Sequence, residues 1–194
     1  MAEGVFEKAK NAVIGAVKGA GDIVDSVRST ATELVTGTLR SASEVASAAV
    51  SVVTDTVRGA LRGAKEAGVE LAGSTKGVVS GAVQAVGEVG GDVIDAARHA
   101  ARAAVRGAAE VGADLGGAAS AAVEGAVDAA TRLGTDVAQT AKGAVEGAVE
   151  TAGEISRDAL EAVKSGLKTA ASAPREVVEA AVKGAEEKQQ GKSS

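Results

Sequence analysis

The chain has 194 residues, of which 45 are Ala, 29 Val and 26 Gly, with one Phe (Phe6), one Met and no Trp, Tyr or Cys. Large apolar side chains stabilise a fold by roughly 1.5–3 kcal/mol each when buried, so the composition excludes a thick conventional core, and the lack of Cys excludes disulfides and thiolate metal sites. The net charge of −5 arises from 21 basic and 26 acidic groups; without a basic block, nucleic acid is not an expected partner.

Residues 1–14 read as the start of a helix. Lys8 and Lys10 break up any signal-peptide core there. Charges interrupt the apolar residues every few positions, and no run approaches the ~18 residues that span a bilayer. Residence in the cytoplasm, peripheral to a membrane or to a lipid or granule surface, is the expectation.

Residues 15–173 form a repeat region. Its motif is Gly, a small residue, an aliphatic, any residue, then Gly or another small residue. It reads GAVKGA from Gly15, GTLRSA from Gly37, GALRGA from Gly59, GVVSGA from Gly77, GAAEVGA from Gly107, GAVDAA from Gly125 and GAVEGA from Gly143. The intervals between these first glycines are mostly five helical turns or about six, the latter equal to two 11-residue units. Apolar residues recur at three- and four-residue steps (Val45, Ala49, Val53, Val57, Leu61; Val79, Val83, Val86), and period-two alternation is absent.

Gly90-Gly91 and Gly116-Gly117 are the expected bends. Pro174 predicts a stop before a short last helix, residues 174–187, and a polar tail follows at 188–194. The predicted fold is all-α: long amphipathic Ala/Val/Gly-rich helices folded back as hairpins or a bundle at Gly-rich bends.

On a helical wheel of Gly143 to Leu160, Ala144, Val145, Ala148, Val149, Ala152, Ile155, Ala159 and Leu160 share one arc. Glu146, Glu150, Glu154 and Arg157 lie opposite, and so do Gly143 and Gly147. The expected surface-binding face is therefore Val79, Val83, Val86, Val145, Val149, Ile155 and Leu160. Each interior Gly costs roughly 1 kcal/mol of helix stability relative to Ala. Two explanations stand side by side: a helix that forms only on a surface, or a glycine side that lets a second backbone approach. The second names the pairs Gly15/Gly19, Gly59/Gly63, Gly77/Gly81 and Gly143/Gly147 as close-packing positions.

His99 is the sole histidine and has no second ligand type beside it, so it reads as a solvated helix residue. Arg98, Arg102 and Arg106 make an i,i+4 basic ridge that reads as a solvated face or as partners for neighbours such as Asp95. The Gly-rich stretches at 87–93 and 112–118 lack the Walker Lys and Ser/Thr. No nucleophile–base constellation is present. Neither enzyme activity nor a cofactor or metal is expected.

The stretch STKGVVSGAVQAVGEVGG, Ser74 to Gly91, is similar to the synuclein repeats: Lys76, Gly77, Val78 and Val79 match the end of their core, without its Glu. TAKGAVEGAVETAGE, Thr140 to Glu154, resembles the 11-residue repeats of late-embryogenesis-abundant proteins and perilipins. These resemblances imply a chain that is disordered in water and turns into a long amphipathic helix on phospholipid, a lipid droplet or a drying surface.

The leading expectation is thus a non-catalytic protein whose amphipathic helices coat a lipid or other apolar surface, which is then its partner. The alternative is a self-assembling structural protein, a homo-oligomer that packs small-residue helices into bundles or filaments. A desiccation or cold stress protectant is the third.

Overall fold

The computed structural model describes residues 2–17, 22–42, 45–170 and 175–192. Among them are nine α-helices and no strand: α1 Ala2–Val17, α2 Ile23–Arg40, α3 Val45–Ala67, α4 Leu71–Glu88, α5 Val93–Glu110, α6 Leu115–Leu133, α7 Val137–Ile155, α8 Arg157–Leu167 and α9 Arg175–Lys192. The chain is all-α, its helices folded back on one another.

The turns explain why the helices stop where they do. Gly68, Gly90, Gly112 and Gly134, an evenly spaced series, take φ between 65° and 80°. That left-handed region suits Gly and penalises any residue with a Cβ. Each is the C′ residue of a Schellman motif. The following amide donates back to the last turn: Val69 N to Ala64 O (3.1 Å), Gly91 N to Val86 O (2.8 Å), Ala113 N to Ala108 O (2.8 Å) and Thr135 N to Ala130 O (3.0 Å).

Two positions beyond each glycine an acid caps the next helix. The Asp92 carboxylate accepts from Ile94 N and Asp95 N, Asp114 from Gly116 N and Asp136 from Gln139 N; Glu70 holds the equivalent place without a side-chain cap bond. The unit is therefore Gly-x-Asp/Glu followed by about five helical turns. The long member is α3, which has 23 residues where α2, α4 and α5 have 18. The register of the helix contacts described below puts its insertion at four residues, about one turn.

Several turns differ from the sequence expectation. Gly90-Gly91 does form a bend, but Gly116 and Gly117 lie in the first turn of α6, and the chain reverses at Gly112 instead. The reason is the cap: Asp114 starts α6 before the glycine pair is reached. The wheel from Gly143 to Leu160 is interrupted as well. Ser156 stands at the next place in the series 68, 90, 112 and 134, where the other units have glycine. It takes an extended conformation (φ −170°) in place of the left-handed one. It ends α7 and caps α8, its hydroxyl accepting from Ala159 N. Leu160 thus belongs to a different helix from Val145. The last helix runs on through Lys192, past the tail expected from residue 188. Pro174 lies outside the described residues.

Each helix from α1 to α7 packs on its sequence neighbour and on the helix two further along. Odd-numbered helices α1, α3, α5, α7 and α9 make one layer; α2, α4, α6 and α8 make the other. This is the one-dimensional stacking of a solenoid. The core lies between the layers and is built almost wholly of Ala and Val, with Leu39, Leu61 and Leu167 the largest fully buried side chains.

Replacing Gly112 by Ala forces a Cβ into the left-handed region and should lower the unfolding free energy by about 1–2 kcal/mol, read as a fall in the urea midpoint.

Candidate functional site

The features that set this chain apart are the seams between helix i and helix i+2. Along them the glycines face backbone. A methyl group at Gly77 would lie 2.5 Å from the carbonyl oxygen of Val24, one at Gly63 2.5 Å from that of Lys10, and one at Gly125 2.5 Å from that of Lys76. Gly59 meets the Phe6 carbonyl, Gly81 that of Arg28 and Gly147 that of Arg98 in the same way. Real Cβ atoms need far more room, so only a hydrogen fits. Ascending residues meet ascending residues (Phe6 and Lys10 against Gly59 and Gly63), so the paired helices run parallel. In the α1–α3 and α2–α4 seams the partners differ by 53 in number, as Gly59 and Phe6 do. In the α4–α6 and α5–α7 seams they differ by 49, as Gly125 and Lys76 do. The difference of four is the insertion in α3.

One position repeats through the seams. The places 59, 81, 103, 125 and 147 make an evenly spaced series, occupied by Gly59, Gly81, Ala103, Gly125 and Gly147, and all five are buried. The α3–α5 seam is the exception in style. There Gly107 faces the Leu61 side chain at 3.3 Å and Arg58 Cα at 3.7 Å, a side-chain contact in place of a backbone one.

The wheel grouped Gly143 and Gly147 with the charges on the polar side. In the structure both are buried against α5, and the charges beside them are contact residues too. Gly15, by contrast, has nothing within 4 Å of a built methyl group, and Gly19 lies outside the described residues. Of the apolar face, Val79, Val83, Val86, Val145 and Val149 are at most 1% exposed. They are packed inside the chain and are not on offer to an external surface in this state. Ile155 is 42% exposed at the end of α7, and Leu160 is half-buried on α8.

Ion pairs run alongside the glycine seams. Arg98 pairs with Glu146 (3.0 Å), Arg102 with Glu150 (3.8 Å) and Glu154 (3.2 Å), and Arg106 with Glu154 (2.6 Å). The arginine ridge is therefore matched, acid by acid, with the next odd helix. Arg58–Glu110 (2.6 Å), Lys76–Glu124 (3.2 Å) and Lys10–Glu66 (3.9 Å) follow the same rule. In each of these pairs the base is on helix i and the acid on helix i+2. Single exposed pairs contribute little, but the ladder penalises the register one turn back, in which Arg58 would meet Arg106 and Arg98 would meet Lys142. His99 is half-buried, its Nε2 3.6 Å from Asp95 on its own helix.

Two carboxyls depart from ordinary behaviour. Asp128 is partly buried, which favours its neutral form. Hydrogen bonds donated by Arg132 (2.9 Å) and Ser80 (2.6 Å) outweigh that and hold its carboxyl below the usual range. Burial pushes Asp55 upward, only partly offset by Arg58. Asp55 lines a groove of about 890 Å³ at the α1–α2–α3 edge, with Val5, Lys8, Glu33, Leu34 and Val52. Among the described residues no cluster of three or more acids or histidines is arranged to hold a metal, and no helix is long and apolar enough to cross a membrane.

No protein-family model matches this chain, and no curated protein does. The solved structure of a DHF58 filament is similar to it at 23% identity over 96% of each chain, with a TM-score of 0.33.

Gly77→Ala should destabilise by about 1–3 kcal/mol, the typical cost of overpacking, because the atom struck is backbone. Gly37→Ala, with nothing within 4 Å, should stabilise by up to about 1 kcal/mol through helix propensity. Denaturant unfolding of the two variants separates seam glycines from open ones. Asp128 has a lower pKa folded than unfolded, so its contribution is full above the unfolded value and lost as pH falls through the folded one. Asp128→Asn should therefore flatten the acid limb of a Tm-against-pH curve.

Proposed function

We propose that this chain is a non-catalytic structural protein whose small-residue helices pack on one another to make a stiff, two-layered helical block. The observation that carries this reading is the backbone-to-backbone seam. Glycines that weaken each helix in isolation are placed where the carbonyls of the helix two before them arrive. The cost in propensity is recovered only when the helices are assembled.

The one-way ladder of ion pairs supports the same reading, since it ties each helix to the one two places further along the same chain. So does the burial of Val79, Val83, Val86, Val145 and Val149. Coating a lipid or other apolar surface, the behaviour implied by the synuclein-like and perilipin-like stretches, would require the two layers to part and those valines to turn outward. The self-packed state needs no such opening. In this reading the partners are helices of the same chain and, in any larger assembly, further copies of it, within the cytoplasm.

Far-UV circular dichroism of dilute protein tests the choice. The expected result is a strongly helical spectrum in buffer that neutral and anionic vesicles leave unchanged. A disordered spectrum in buffer that turns helical on vesicles would sink the structural reading and restore the coating one.

A further inference from the structure

We propose that α1 and α2 are a built-in end cap: Asn11 and Glu33 keep the N-terminal face of the solenoid from accepting a second copy of the chain. The proposal rests on the self-packed reading above and adds where the packing stops.

The observation is positional. The buried Gly/Ala place at 59, 81, 103, 125 and 147 continues upstream at 33 and 11, once the insertion of four in α3 is allowed for. Those residues are Glu33 and Asn11, and both are exposed. The caps of α2 and α4 are Asp22 and Glu70. The displacement that carries Glu70 onto Asp22 also carries Gly73, Gly77 and Gly81 onto Asp25, Ser29 and Glu33. Each of the three glycines that α4 turns toward α2 is thus a polar or charged residue on the corresponding side of α2.

The physical consequence follows from the seams. At Gly81 the Arg28 carbonyl and the Ala31 methyl group already occupy the space a Cβ would need. A Glu or Asn in that place prevents another helix from approaching at backbone distance, and it would bury a carboxylate or amide if one approached less closely. Solenoids need such polar outer faces on their terminal units to stay soluble. Parts of this face offer no obstacle. Gly15 on α1 and Gly37 on α2 have open space around them, and the neighbouring groove has Val5, Leu34 and Val52 in its wall. The polar residues close it: Asp25 and Ser29 line the same side, and Asn11 and Glu33 stand at the place that is Gly or Ala in every helix from α3 to α7.

The test is sedimentation equilibrium of the full chain and of an Asn11→Ala/Glu33→Ala variant. Alanine suits the site because Ala103 fills the same place in α5, where the seam with α3 closes through side-chain contact, and it favours the helix. Across a wide concentration range the wild type should keep the mass of one chain, while the variant's average mass should at least double at the upper end. The single Glu33→Ala variant, which leaves α1 untouched, should shift in the same direction should the double variant lose helicity. A variant of wild-type helicity that keeps one-chain mass overturns the cap. So does a wild type that associates and is returned to one chain by Glu33→Arg. A wild type that is disordered in buffer by circular dichroism overturns the self-packed reading itself, which keeps the two failures apart.

Discussion

Where α7 lies along α5, the carbonyl of Arg98 occupies the space that a side chain at Gly147 would fill. The same relation recurs at Gly59, Gly63, Gly77, Gly81 and Gly125. The rest of the fold depends on it. A core of Ala and Val buries little area per residue, and such side chains reach one another only if the helix axes are close. Glycine supplies that closeness. The interior glycines and the small core residues are therefore two halves of one solution. Larger core residues would hold the helices apart, and glycines without close partners would only weaken them.

The electrostatics add direction to a packing scheme that lacks it. Small residues alone would let neighbouring helices slide by a turn, since a repeat offers similar surfaces every few positions. The pairs Lys10–Glu66, Arg58–Glu110, Lys76–Glu124 and Arg98–Glu146 each place a base upstream and an acid two helices downstream. A one-turn slip in one sense would set Lys10 against Arg62, Arg58 against Arg106 and Arg98 against Lys142, and like charges so placed cost about as much as the matched pairs gain. The uneven charge of the sequence, neutral up to Arg106 and acidic from Gly107 to Lys183, has the same sense as this one-way pairing.

The helical class and the reversal at Gly90-Gly91 are legible in composition and periodicity. The structural period is written in the sequence too, in the recurring Gly-x-Asp/Glu of Gly68, Gly90, Gly112 and Gly134. The interior GAVxGA motif masks it, because that motif drifts in spacing while the turns keep a constant one. A helical wheel assigns the charged side of Gly143–Leu160 to solvent for a different reason. A wheel has one inside and one outside, whereas a helix in a two-layered solenoid touches neighbours on several sides. Arg98 keeps partial contact with solvent, Glu146 is largely covered, and the two face each other across a seam. The break at Ser156 shows only when it is set against Gly90, Gly112 and Gly134, the evenly spaced glycines that precede it.

The four extra residues of α3 show what kind of change this architecture absorbs. Four residues advance a helix by slightly more than one turn, so everything beyond the insertion keeps nearly the same facing. Gly59 and Gly63 still point at α1, merely meeting Phe6 and Lys10 one turn further back than the later seams would dictate. One or two inserted residues would instead swing the glycines away from the carbonyls and present bulk to the seam. Length variation in such a chain is therefore quantised: whole turns within a helix, or whole helix-plus-turn units, are the increments by which it can grow or shrink without rewriting the contacts.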